Sequence, residues 1–104
     1  MAFFGENSCR FWVFSSSNGT IGDSFNVSSV NEVGNGNEDF TINFSTNFAS
    51  TNYAASGNCN DTAAKGGQVF IDTKTTSSCR ANVRDTGGGN NTNTDFCAFG
   101  WGDQ

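Results

Sequence analysis

Residues 23–53 read DSFNVSSV, then NEVGNGNE, then DFTINFSTNFASTNY. In the third run Phe40, Ile42 and Phe44 alternate with Thr41, Asn43 and Ser45. Successive side chains of an extended chain leave on opposite faces, so an apolar residue at every second position marks a half-buried antiparallel strand. The first run alternates through Phe25 and Val27. Between the two, Gly34-Asn35-Gly36-Asn37 supplies residues that tolerate positive φ, as a tight hairpin demands. The unit is a strand, a turn and a strand.

The same reading extends in both directions. Upstream, Cys9 to Phe14 puts Cys9, Phe11 and Val13 on one face and Trp12 and Phe14 on the other, before the polar turn SSSNGT. Ser24 to Val30 and Phe40 to Phe44 follow, then Tyr53 to Cys59, with Tyr53, Ala55 and Cys59 on one face. Past the loop from Asn60 to Gly67 come Val69 to Thr73, Cys79 to Arg84 and, after the glycine run at residues 86–91, Asp95 to Trp101. Short strands separated by turn signals, with no helical period and no linker, predict one all-β domain. Its expected form is a small antiparallel β-sandwich, or a barrel-like equivalent, of about seven strands over residues 9–104, preceded by a short segment, residues 1–8.

Composition supports that class. The chain has 104 residues, 11 Phe and 13 Gly, but no Pro and no His. Aromatic and β-branched residues suit sheet better than helix. Only 14% of residues are charged and 13% are aromatic, whereas disordered chains are charge-rich and aromatic-poor. A net charge of −5, with five basic residues scattered along the chain, argues against nucleic acid as a partner, because phosphate binding needs clustered Lys and Arg. No apolar run approaches the roughly 20 residues of a membrane span. The start, MAFFGE, lacks the basic and apolar regions of a secretory signal, so the expectation is use without such export or removal of a signal beforehand. A domain this small is marginal alone, and oligomerisation or disulfides would add stability.

Candidate chemistry is sparse. Ser or Cys nucleophiles normally need a base, most often His, and the chain has none. Nothing places Lys65 or Lys74 beside a nucleophile. Asp23, Glu38, Asp39, Asp72, Asp85 and Asp95 fall mostly at strand ends, where Asp is a common turn former, rather than as a pair for glycoside hydrolysis. The Asn- and Asp-rich loops lack the spacing of a calcium loop. Sequons at Asn18, Asn26, Asn43, Asn60 and Asn90 are expected by chance in so Asn-, Ser- and Thr-rich a chain. The expectation is therefore no enzyme, no cofactor and no metal. Cys9, Cys59, Cys79 and Cys97 allow three pairings. Disulfides between neighbouring strands lead, buried thiols follow, and a four-thiolate zinc site comes last. Trp12, Tyr53 and Trp101 read first as core or interface aromatics and second as a sugar-stacking platform. The run Gly87, Gly88, Gly89, Asn90 and Asn91 is a candidate contact loop.

The segments IGDSFNVSSV (21–30), DFTINFST (39–46) and NYA (52–54), with Trp12-Val13 upstream, resemble a small β-domain found at the C-terminal ends of tail-fibre and related virion proteins of tailed phages, many of marine or cyanobacterial hosts. The closing Asp95, Phe99, Gly100 and Gly102-Asp103-Gln104 are similar to that family's tail. The likeness covers most of Cys9 to Gln104 and is weakest over Asn58 to Gly67. It implies a β-sandwich in a phage structural protein, made in the host cytoplasm and carried on the virion, and a homotrimer as in most fibre-tip modules. The four cysteines do not belong to the resemblance.

Because the chain starts at Met1, eight residues before its first strand, with no stalk, the leading expectation is a particle-mounted module. Such a module would be a capsid decoration or cement protein, or a short fibre knob, touching other virion proteins at the capsid or fibre base. Phe3 and Phe4 are its candidate anchor. The alternative is a host-attachment adhesin that contacts surface glycan or protein through the loop at Gly87 to Asn91. A remoter alternative is a disulfide-stabilised secreted binding domain.

Overall fold

Asn26 is where the chain departs from its simplest reading. In the computed structural model, which describes residues 8–33, 39–60, 67–84 and 94–104, the expected strand from Ser24 to Val30 is two strands in different sheets. β2 (Ile21–Phe25) ends and β3 (Val27–Glu32) begins on either side of Asn26, whose φ of 58° turns the chain sharply. Asn visits this left-handed region more readily than most residues because its short amide can bond locally. Here the amide bonds widely. Its Nδ2 donates to Arg10 O at 3.0 Å and to Thr46 O at 3.1 Å, while Oδ1 accepts from Thr46 N at 2.6 Å. The backbone carbonyl accepts from Ser45 N at 3.2 Å. One residue thus ties the sheets together at a corner, and the expected seven strands become eight among the described residues.

The architecture is the β-sandwich the alternation predicts, with every neighbouring pair antiparallel. β1 (Cys9–Ser15), β2, β8 (Asp95–Trp101) and β5 (Ala54–Asn60) form one sheet in the order β2-β1-β8-β5. β3, β4 (Asp39–Phe44), β7 (Ser78–Arg84) and β6 (Gln68–Asp72) form the other, in the order β3-β4-β7-β6. Among the described residues no helix is long and apolar enough to cross a membrane.

The core lies between the sheets and is built from the alternating residues. Phe40, Ile42 and Phe44 of β4 face inward with Cys79, Ala81 and Val83 of β7, and meet Phe11, Val13, Phe96 and Ala98 from the other sheet. Ring pairs fill it: Phe40 and Phe96 lie 4.8 Å apart, and Phe11 and Phe44 4.7 Å. Each fully buried Phe contributes about 1.5–3 kcal/mol relative to exposure. Gly100 sits inward under the Phe11 ring; a Cβ there would come within 2.5 Å of that ring, so only glycine lets the central strands β1 and β8 pack the aromatic layer this closely.

Phe48 and Tyr53 close one end of the core, stacked 4.0 Å apart. The Tyr53 hydroxyl lies 2.8 Å from Thr75 O and 2.9 Å from Ser78 O, which resolves the polar tip of an otherwise apolar burial. The C-terminus is fastened at the same end: Ala49 N donates to Asp103 O at 2.7 Å, and Arg10 Nε donates to Gly102 O at 3.1 Å.

Candidate interaction face

The alternation that fills the core also decides what points outward, and the two sheets answer differently. On the sheet β3-β4-β7-β6 the outward row Asn31, Thr41, Arg80 and Asp72 is polar throughout. Neighbouring polar side chains of this sheet bond to one another or to its backbone. Asn43 Nδ2 donates to Ser29 Oγ at 3.0 Å, Asn82 Nδ2 to Phe70 O at 3.2 Å, and Arg84 Nη1 pairs with Asp39 Oδ1 at 2.9 Å. Phe70 is the one large apolar side chain exposed on that face among the described residues.

The sheet β2-β1-β8-β5 is apolar on both sides at its centre. Register places Phe25, Trp12, Phe99 and Ser56 in one outward row and Asp23, Phe14, Cys97 and Asn58 in the next. Trp101 and Ala54 share a third. Trp12 is 40% exposed, Phe14 43%, Phe25 51% and Trp101 39%, and half-buried Phe99 meets Trp101 edge-on at 5.5 Å and 79°. With about 150–250 Å² per aromatic side chain, the four more exposed rings leave on the order of 350 Å² of aromatic surface. A patch of that size lies in the range of roughly 300–600 Å² of the largest apolar patches on small monomers, which are often functional.

The sequence-predicted site residues scatter around this face. Trp12 and Trp101 lie on it, but Tyr53 is buried in the core, so the three do not form one platform. Moreover, rings on adjacent strands sit side by side and Phe99 stands edge-on to Trp101, an arrangement that fills hollows in another protein better than it stacks flat on sugar rings. Phe3, Phe4 and the loop from Gly87 to Asn91 lie outside the described residues, as do Glu38, Lys65, Asp85 and the turn at residues 34–37. Phe14, Phe25 and Phe99 complete the aromatic face and were not among the site residues expected from the sequence. Their signal was present: β1 and β8 each carry aromatics at positions i and i+2 between core residues, which makes both strands apolar on two faces.

All four cysteines are free thiols, not the strand-to-strand disulfides placed first by the sequence. Register explains the difference. Cys59 pairs with inward-facing Phe96, whereas Cys97 pairs with outward Asn58, so these two on adjacent strands face opposite ways. Cys79 lies in the other sheet opposite Ile42, and Cys9 at the far end opposite Trp101. Cys59 Sγ instead donates to Gln68 O at 3.3 Å, bridging β5 to β6, and Cys9 Sγ to Phe11 O at 3.0 Å.

Among the described residues Cys79, a potential nucleophile, feels the charge of Lys74. Burial pushes its thiol up to about 12; the Lys74 charge pulls against that shift and Asp72 adds to it. Lys74 is already engaged, with its Nζ bonded to Tyr53 O and 5.0 Å from the centre of the Tyr53 ring. A buried, protonated thiol is an inert core residue. Burial, and secondarily Cys79, likewise raise the Tyr53 hydroxyl above its ordinary range.

The carboxylates are dispersed: Asp23 on the aromatic face, Asp39 and Asp72 on the polar one, and Asp95 accepting from Ser17 N at 3.1 Å. Among the described residues there is no cavity and no cluster of metal-ligating side chains. Compared with protein-family models, with curated proteins and with solved structures, the chain matches none.

Proposed function

We propose that this domain is a structural module of a bacteriophage virion surface, a capsid decoration or cement protein or a short fibre knob, held in its assembly by the aromatic face of β2-β1-β8-β5. The observation that carries the reading is the contrast between the two outer faces: one is polar and internally hydrogen-bonded, the other aromatic. A small domain built this way presents one side to water and one to protein, as a module buried in a larger particle does. The resemblance of residues 21–30 and 39–46 to phage tail-fibre and virion domains supplies the particle, and with it the capsid or fibre-base partners.

The test is incorporation. A phage whose copy carries Phe14→Ser and Phe25→Ser is expected to yield particles lacking the protein by mass spectrometry, although the variant chain folds. Particles that retain it at wild-type stoichiometry contradict the role of the face. Deletion of residues 1–8 tests Phe3 and Phe4 separately: an anchor there predicts loss from the particle, and normal incorporation removes it.

A further inference from the structure

We infer that the aromatic face pairs with the same face of a second copy of this chain, about a twofold axis running along the strands, so that the ring-bearing β2 edge of each face seats on the small-residue β5 edge of the other. The inference rests on the reading of this face as an assembly surface.

Its basis is a lateral asymmetry. Phe25 lies on β2 and Trp12 and Phe14 on β1, against Phe99 and Trp101 on β8, so the rings crowd toward the β2 edge of the sheet. On the other edge β5 shows only Ala54, Ser56 and Asn58. A twofold axis between β1 and β8, parallel to both, turns each face over while exchanging its left and right halves and keeping each row opposite itself. Phe14 then meets Cys97 of the second copy, Phe25 meets Ser56, and Trp12 meets Phe99. Each large ring finds a small residue or an aromatic partner, the interdigitation that packed sheets use. An axis across the strands would set ring on ring and small residue on small residue, leaving a gap at the β5 edge.

Charge fits the same arrangement. An isologous interface must complement itself. The chain carries −5 overall, but on these rows the one charged side chain is Asp23, and the axis places it opposite the Asn58 amide, a donor for its carboxylate. Four strands about 4.8 Å apart and seven residues of about 3.4 Å make a face of about 19 by 24 Å. In plan this is about 460 Å², a little over half of the roughly 800 Å² that each partner gives to a standard interface, as suits a weak, reversible dimer. A glycan or nucleic-acid strand, by contrast, would need convergent polar or basic groups among the rings.

Light scattering and sedimentation equilibrium on the purified full chain decide it. The expected mass is twice the 11.0 kDa of one chain; a monomer or a trimer at submillimolar concentration overturns the inference. Trp12→Asp is expected to abolish the dimer. Ser56→Trp fills the seat of Phe25 and is also expected to abolish it; a dimer that survives either change overturns the geometry. Asp23→Lys should weaken association about tenfold and Asn58→Asp in the same chain should restore it; absence of rescue counts against the row pairing. Phe70→Ser on the polar sheet serves as control and keeps the dimer. Circular dichroism verifies that each variant folds. A chain that is monomeric in solution yet enters particles ends the self-pairing and leaves the virion role, whereas a dimer missing from particles does the reverse.

Discussion

The two outer faces of this sandwich are made by the same backbone rule and have opposite surfaces. On β4 and β7 the positions between core residues are Thr41, Asn43, Arg80 and Asn82, and the two amides find partners on the same sheet. On β1 and β8 the corresponding positions are Trp12, Phe14, Phe99 and Trp101. A sheet with one wet side needs polar residues at alternate positions. β1 and β8 break that rule at the centre of their sheet, and a broken local rule is where function concentrates.

The sharpest way to test the contrast is to make the same kind of truncation on both sides of one strand. Phe11→Ala, on the inner side of β1 and fully buried, is expected to cost about 3–5 kcal/mol, measured by urea unfolding. Phe14→Ala, three residues along and facing out, should cost well under 1 kcal/mol in the isolated chain and show its effect only in assembly. Equal losses at the two sites would mean that the outer face belongs to a core.

The next largest effect concerns the corner that lets the two faces exist. Asn26→Ala removes the side-chain bonds to Arg10 and Thr46 while the backbone keeps its strained φ, and is expected to lower stability by about 1–3 kcal/mol. Asn26→Gly relieves the φ and should recover part of that loss. If both variants unfold like the parent, the amide is not what joins the sheets.

Alkaline titration probes the interior between the faces. Below pH 9 the Cys79 thiol is protonated in both the folded and the unfolded chain and adds no pH dependence. Above its ordinary 9.0 the unfolded chain releases the proton while the folded chain holds it until about 12, so the unfolded state binds fewer protons and stability falls as pH rises. In that window Cys79 contributes a slope of at most about 1.4 kcal/mol per pH unit, and Tyr53 adds to the fall above 10.0. Cys79→Ala should flatten the slope between pH 9 and 10 in unfolding experiments; an unchanged slope would locate the titration elsewhere.

The smallest effect is predicted on the polar face. Asp39→Asn breaks the pair with Arg84 and is expected to cost no more than about 1 kcal/mol in thermal unfolding, and nothing in assembly.

Much of this was legible from residues 39–46. The alternation of Phe40, Ile42 and Phe44 with Thr41, Asn43 and Ser45 gave the half-buried strand and, repeated along the chain, the sandwich. What escaped was any feature that depends on register between distant segments. Phe25 and Val27 read as one face of one strand, because nothing local distinguishes an Asn in a strand from an Asn at a corner; only the pairing with Arg10 and Thr46 makes Asn26 a corner. Cys59 and Cys97 looked available for a cross-link until the β5–β8 register set them on opposite faces. The aromatic face was half visible in Trp12 and Phe14, but its continuity across β2, β1 and β8 exists only once β1 lies between the other two.

Hydroxyl-radical footprinting of the free chain, diluted until it no longer self-associates, and of purified particles tests the contrast between the faces most directly. Assembly is predicted to protect Trp12, Phe14, Phe25 and Trp101 from oxidation while Phe70, on the polar sheet, stays as reactive as in the free chain. Protection of Phe70 with the aromatic face left reactive would contradict the account.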